Sequence, residues 1–345
     1  MGADMTTVIF RCPGKRGLGH LVRALNIAHA LRDRDPSLRS VIYTRGSAAI
    51  DLVGDAFPLV IETDPDHLVS WPGLVERERP DAVVDDTQLP DDDLPPGGEH
   101  ARRIYVMRRS REERHASVVD NPAVQASDLV LIPHDPDEFG YQLDEPLLSR
   151  AVFAGPIIRR PPADAVARLR ARYGGGFLLV STVGGGGFED TAEHLFALAL
   201  EAESRLRGDV VDLVHVAVRG PNYRGGIPAA AGRVVVDFEP EMTALLAAAD
   251  LVVAEGGYNT VNEIRLVATP TAFVPGVRRW DDQQRRVGEL AAAGCAVVAD
   301  DAATIVALAI NGERRVAIRR SLEAARPTPG NEVAAEAILR CIATR

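Results

Sequence analysis

The stretch TTVIFRCPGKRGLGHLVRALNIAHAL, Thr6 to Leu31, decides the fold. Thr6 to Cys12 form an apolar, partly β-branched run that reads as a strand, and Leu21, Ala24, Leu25, Ala28 and Leu31 then recur at the spacing of one helical stripe. Between them Gly17 and Gly19 mark a tight turn, with His20 where the helix starts. Strand, glycine turn and helix in that order open an α/β sheet and place His20 at the mouth of the turn.

The same alternation continues outward. SVIYT (40–44), PLVIE (58–62), DAVVDD (81–86), RIYVMR (103–108) and SDLVLIP (127–133) are strand-like runs separated by helical patterns. The segment 87–100, rich in Pro, Gly and Asp, reads as a loop. After AVFAGPIIRRPP the pattern restarts with FLLVSTVGGGG (177–187), followed by VDLVHVAV, RVVVDF, DLVVAE, PTAFVP and CAVVAD. Two such halves imply an α/β chain with two Rossmann-like domains, 1–158 and 159–330, hinged near Pro161 and Pro162. A final helix over 331–345 carries Val333, Ala334, Ile338 and Cys341 on one face and should dock, on a side the sequence leaves open.

Composition bounds the function. A formal charge of −10 over 345 residues excludes broad nucleic-acid binding, which depends on clustered cations displacing counterions. Lys15 is the one lysine, so a chain of catalytic lysines is ruled out. Cys12, Cys295 and Cys341 are dispersed and odd in number, which fits neither a disulfide framework nor a zinc cluster and suits a cytoplasmic setting. No apolar run approaches a membrane span, and the first one is too short for a secretory signal.

The informative motifs all follow strands, where open α/β sheets collect ligands. Gly184 to Gly187 come directly after an apolar strand and before a helix, so backbone N–H groups can approach an anion without Cβ obstruction. The loop lacks the Lys-Ser/Thr ending of a triphosphate P-loop, which points to a diphosphate. After DLVVAE, Gly256 and Gly257 make a second turn, Asn259 or Thr260 can cap the next helix, and Asn259 and Glu263 share a helical face. A carboxylate placed there can accept both hydrogen bonds of a vicinal diol. Asp281, Asp282, Gln283 and Gln284 begin a further helix and supply groups suited to sugar hydroxyls.

GGYNTVNE, FVPGVRRWDDQQ and GLGHLVRAL together resemble the nucleotide-sugar glycosyltransferases of the GT-B fold. Among these, the similarity is to the bacterial N-acetylglucosaminyltransferases that make lipid II, and to glycosyltransferases with a Gly-Tyr-Asn-Thr motif. The resemblance spans both halves in order and implies two Rossmann-like domains facing across a cleft. It implies an inverting hexosyl transfer from a UDP-linked donor, ahead of a dTDP-linked one, to the hydroxyl of a small-molecule or lipid-linked acceptor. It further implies that Glu263 holds the ribose, that Gln283 and Gln284 reach the sugar with Asp282 beside them, and that the backbone near Phe238 faces the base. Arg159, with Ser181, Thr182, Gly184 and Gly185, would meet the diphosphate. Gly257, Tyr258, Asn259 and Thr260 complete the donor set, while Gly17 and Gly19 allow close backbone approach. No obligatory metal or other cofactor is implied. Trp280 and Asp281 depart from the less bulky or basic residues of the lipid II enzymes, so the resemblance does not carry over the identity of the sugar.

His20 faces the substrate in the related turn, where a neutral imidazole suits a general base and a helix N-terminus disfavours its protonated form. Hydrogen bonding to the acceptor, without proton transfer, is the alternative role. Asp135 and Asp137 have the spacing of a metal-binding pair, but Asp33 with Asp35 and Asp64 with Asp66 repeat it in an aspartate-rich chain. The cluster Arg102, Arg103, Arg108, Arg109, Arg111 and Arg114 reads as a solvated face because Glu112 and Glu113 interleave, with a phosphate-bearing acceptor or an anionic membrane surface as the other reading. Two rival functions stay open: a nucleotide-sugar hydrolase using water, suggested by GLGHLVR, and a non-catalytic sugar-nucleotide-binding subunit.

Overall fold

The computed structural model describes residues 5–12, 17–45, 49–62, 67–87, 100–174 and 176–344. Lys15, the pair Asp64 and Asp66, and nearly all of the 87–100 segment lie outside the described residues. The chain divides into two units, Met1–Ile158 with Pro329–Arg345, and Arg159–Thr328.

In the first unit seven parallel strands, β1 (Thr7–Cys12), β2 (Arg39–Thr44), β3 (Leu59–Ile61), β4 (Ala82–Asp86), β5 (Arg102–Val106), β6 (Leu129–Ile132) and β7 (Ala151–Phe153), lie in the order β3-β2-β1-β4-β5-β6-β7. Strand side chains alternate between faces: Val8 and Phe10 pack on one side with Leu21, Leu25 and Leu31, and Ile9 packs on the other with Tyr43 and Trp71. Both faces are therefore covered, which is why β1 reads as a continuous apolar run. The three-residue β7 has no alternation long enough to announce it and is absent from the strand-like runs read above.

The C-terminal helix Asn331–Ala343 belongs to this unit and packs against the helix Gly19–Arg34, burying Ala334, Ala335, Ala337 and Ile338. Val333, placed on the docking face by the sequence reading, is exposed. The face is centred one residue later, because Ala334, Ile338 and Cys341 follow the i, i+4, i+7 course and Val333 does not.

The second unit has six parallel strands, β8 (Leu178–Thr182), β9 (Val214–Val218), β10 (Arg233–Val236), β11 (Leu251–Ala254), β12 (Thr271–Phe273) and β13 (Val297–Val298), in the order β10-β9-β8-β11-β12-β13. Leu179, Val253 and Ala272 face a core shared with the helices Glu189–Leu206 and Ala302–Ile310. Val180, Val252 and Phe273 face the opposite core with the helices Ala163–Tyr173, Met242–Ala248 and Tyr258–Val267.

Ile338→Ala removes a fully buried side chain at the helix contact and should cost the first unit about 2–5 kcal/mol in chemical denaturation. A loss below about 1 kcal/mol, the level of a surface substitution, would show that the helix does not complete this core.

Candidate functional site

A parallel sheet whose strand order reverses leaves a crevice between the two loops that leave its neighbouring central strands in opposite directions. In the first unit the reversal falls between β1 and β4. Both loops there carry chemistry.

The helix Gly19–Arg34 starts just after β1, making His20 its second residue. The His20 Nδ1 lies 2.9 Å from Asp86 Oδ1, at the end of β4, and 2.9 Å from Thr87 Oγ1. The His20 side chain is 34% exposed, whereas that of Asp86 is 2% exposed. Arg23, one turn along the same helix and itself buried, donates Nε to Asp86 Oδ2 at 2.7 Å and Nη2 to Oδ1. Burial would raise the Asp86 carboxyl, but Arg23 and the His20 hydrogen bond outweigh it and hold the group well below the usual carboxylate range. An ionised Asp86 accepts from Nδ1–H, which fixes the tautomer and leaves Nε2 as the basic nitrogen. Thr87, with φ of +50°, sits in backbone space that a β-branched residue rarely adopts, next to this pair.

Sequence reasoning found His20 and missed Asp86 and Arg23. Arg23 entered only as the last residue of the GLGHLVR turn, with no role of its own, and Asp86 only as the end of the run DAVVDD. The signal available was DD closing an apolar strand: two carboxylates there need cations, and Arg11 supplies the second by pairing with Asp85.

In the second unit the order reverses between β8 and β11. The loop after β8 is backbone-locked instead of free. Gly184 and Gly186 have φ of +59° and +70°, and Asn222 N donates to Gly185 O at 3.1 Å from the loop that follows β9. Gly220 has φ of +76°, and a Cβ there would stand 2.3 Å from Gly184 O. Gly184 is exposed and Gly185 half-buried, with the helix Glu189–Leu206 starting just beyond. Ser181 and Thr182, read as lining the same ligand, are buried. The Ser181 hydroxyl is 2.8 Å from His215 Nε2, whose Nδ1 is 2.7 Å from Glu203 Oε2, and Arg233 Nε donates to that same oxygen at 2.7 Å. This core chain of polar groups, also missed from sequence, joins β8, β9 and β10 to the helix and engages the Ser181 hydroxyl inside the protein.

Beyond β11 the helix Tyr258–Val267 is capped by Gly257 without a side-chain bond. The expected Asn259 or Thr260 cap is not formed, because the helix begins a residue earlier and both fall in its first turn. Tyr258 is buried, and Asn259 and Thr260 are half-buried. Glu263 is half-buried on the face it shares with Asn259; loss of water around its carboxyl pushes its pKa up to about 7, against a hydrogen bond from Thr243.

The Asp281–Gln284 cluster is largely spent on the protein itself. Asp281 pairs with Arg286, and Asp282 caps its helix by accepting from Arg285 N at 3.1 Å. Gln283 is buried, its Oε1 accepting from Gly276 N at 2.8 Å and its Nε2 3.5 Å from Glu255 Oε2. Gln284 alone of the four is exposed. Gly256 permits this packing, since a Cβ there would stand 2.6 Å from Val287 Cγ1.

Arg159 is exposed at the start of the second unit, and Phe238 is half-buried just past β10. Gly17 is exposed and Gly19 half-buried. Asp135 and Asp137 begin the short helix Pro136–Phe139. Among the described residues no group of three or more His, Cys, Asp or Glu is arranged to hold a metal ion, and no helix is long and apolar enough to cross a membrane. In the arginine cluster, Arg102 pairs with Asp128, Arg111 with Glu113, and Arg109 lies over Tyr141.

Residues 183–316 match the glycosyltransferase family 28 C-terminal domain. Over 179 residues the chain is 31% identical to the UDP-N-acetylglucosamine–N-acetylmuramyl-(pentapeptide) pyrophosphoryl-undecaprenol N-acetylglucosamine transferase of Burkholderia orbicola, covering 49% of this chain and 49% of that protein. The matched region thus spans about half the length of the curated relatives. Among solved structures, Arabidopsis thaliana UGT89C1 complexed with UDP is similar at a TM-score of 0.69 and 16% identity, over 98% of this chain and 99% of that one. The glycosyltransferase SnogD from Streptomyces nogalater is similar at a TM-score of 0.61 and 17% identity, over 98% of this chain and 100% of that one. The chain has the GT-B fold.

In this GT-B chain the family 28 match begins at Val183, on the residue that leads into the locked glycine loop. Gly220→Ala should push that loop out of shape and lower the stability of the second unit by about 1–3 kcal/mol in chemical denaturation. A loss below about 0.5 kcal/mol, the level of a surface substitution, would show that Gly220 does not lock the loop.

Proposed function

We propose that the chain is an inverting glycosyltransferase that moves a sugar from a UDP-linked donor to the hydroxyl of an acceptor, with the first unit presenting the acceptor and the second holding the donor. The observation that carries the reading is the His20–Asp86 pair at the first unit's strand-order reversal. As the new C1–O bond forms, His20 Nε2 takes the acceptor proton, and the positive charge developing on the ring is offset by Asp86. The sugar–phosphate bond breaks as the acceptor oxygen arrives from the opposite face, so the anomeric configuration inverts and UDP carries away the electron pair. Main-chain N–H groups of Gly184 and Gly185 and the start of the helix Glu189–Leu206 are suited to the leaving diphosphate, with Arg159 as its side-chain cation.

The UDP assignment draws support from the donor named in the Burkholderia relative and from the UDP bound by the Arabidopsis neighbour. In this reading Glu263 grips the ribose, and the backbone near Phe238 meets the base. A lipid-linked acceptor, as the relative's name describes, fits without requiring a membrane-spanning helix. The dispersed cysteines and the nucleotide-sugar donor favour the cytoplasm.

His20→Ala should lower transfer about 10²–10⁴-fold while leaving UDP affinity within twofold, and Asp86→Asn should lower turnover in the same direction. Normal turnover in folded His20→Ala would remove the base from the mechanism. Sugar release from UDP-sugar at the full rate without an acceptor would instead favour the hydrolase. UDP binding with neither transfer nor hydrolysis would favour the binding subunit.

Glu263 supplies a pH test. Its folded-state pKa, raised to about 7, leaves it increasingly protonated below that pH, and the neutral acid loses one of the two acceptor oxygens a diol needs. UDP affinity should therefore rise more steeply as pH increases through 7 in the wild type than in Glu263→Gln, whose remaining rise is that of the terminal phosphate of UDP itself. An identical pH profile in both proteins would detach Glu263 from the ribose.

A further inference from the structure

The helix Glu189–Leu206, whose start is proposed above to meet the donor diphosphate, has no side-chain cap: Phe188 stands at the N-cap position and makes no capping hydrogen bond. The first N–H groups of any helix lack intrahelical partners, and they serve an anion only as well as the helix start is held in place. Here that start is held from outside the helix, by a guanidinium on the loop after β12.

Arg278 is buried. Its Nη1 donates to Thr191 Oγ1, in the first turn of the helix, at 3.0 Å, and its guanidinium carbon lies 3.7 Å from the centre of the Phe188 ring. Its Nη2 donates to both Glu255 oxygens, at 2.8 and 2.7 Å. Glu255 follows β11 directly and leads into the Gly256–Gly257 turn, and Gln283 Nε2, at the start of the next helix, is 3.5 Å from Glu255 Oε2. One cation thus fastens the chain on both sides of the β8–β11 reversal. The fastening is stiff, because separating a buried guanidinium from its carboxylate strands both charges away from water.

Resting on the proposed donor role of the second unit, we infer that Arg278 is a positioning residue for the donor diphosphate. It takes the place of a helix cap, acting through Phe188, Thr191 and Glu255 to fix the N–H groups at the helix start relative to the glycine turn after β11.

UDP carries one phosphate more than UMP, so the ratio of their affinities reads the grip on the diphosphate apart from the grip on the nucleoside. In calorimetric titration of the full chain, Arg278→Met should lower this ratio about fivefold or more. Thr191→Val keeps the Arg278–Glu255 pair and removes only the link to the helix, and should lower the ratio about threefold. Arg278→Lys, which keeps a cation beside Glu255, should fall between the wild type and Arg278→Met. UDP and UMP weakened alike would mark a role in stability alone, and that result, like an unchanged ratio, overturns the assignment while leaving the donor role intact. Where Arg278→Met does not fold, an unchanged ratio in Thr191→Val overturns it equally. Failure of UDP to bind the wild-type chain overturns the donor role and the assignment together.

Discussion

Strand order is the constraint from which the rest follows. Each sheet grows outward in both directions from a central pair, β1 with β4 and β8 with β11, and at that pair the connecting chains part and leave the strand ends uncovered. Backbone groups exposed there must be met by side chains, water or a ligand. Each candidate half-site lies at one of these two places. The fold thus selects the location before any catalytic residue is named.

What the two locations hold differs in physical character. The first is electrostatic: a buried carboxylate, Asp86, kept ionised by Arg23 and turned toward a half-exposed imidazole. Its cost is offset by the guanidinium from the next turn of the same helix, so one helix supplies both the imidazole and the counter-charge. The second is conformational. Its glycine loop is shaped by contact with the loop after β9 and needs no side chain of its own, in keeping with a site that binds an oxyanion through main-chain N–H groups.

Much of this was legible in the sequence because it obeys periodicity. The buried strands read as apolar runs, Leu21 to Leu31 read as a stripe, and the glycines read as turns. The parts that were not legible depend on distance through space. Asp86 and His20 are 66 residues apart in the chain, and Ser181 reaches His215 across 34. Neither pairing leaves a local spacing to recognise. The same holds for Asp282 and Gln283: their residue types suit sugar hydroxyls, and only the packing reveals that the helix cap and Gly276 already claim them. Val333 shows the smaller error of choosing a helix face from too few apolar positions.

Amide hydrogen exchange with and without UDP tests the assignment of the donor to the β8–β11 reversal most directly. UDP should protect 183–190, 219–223 and 256–263, and leave the distant helices Ala302–Ile310 and Gly312–Ala324 unchanged. Saturating UDP that left all three segments at their free rates, or protected the first unit alone, would contradict it.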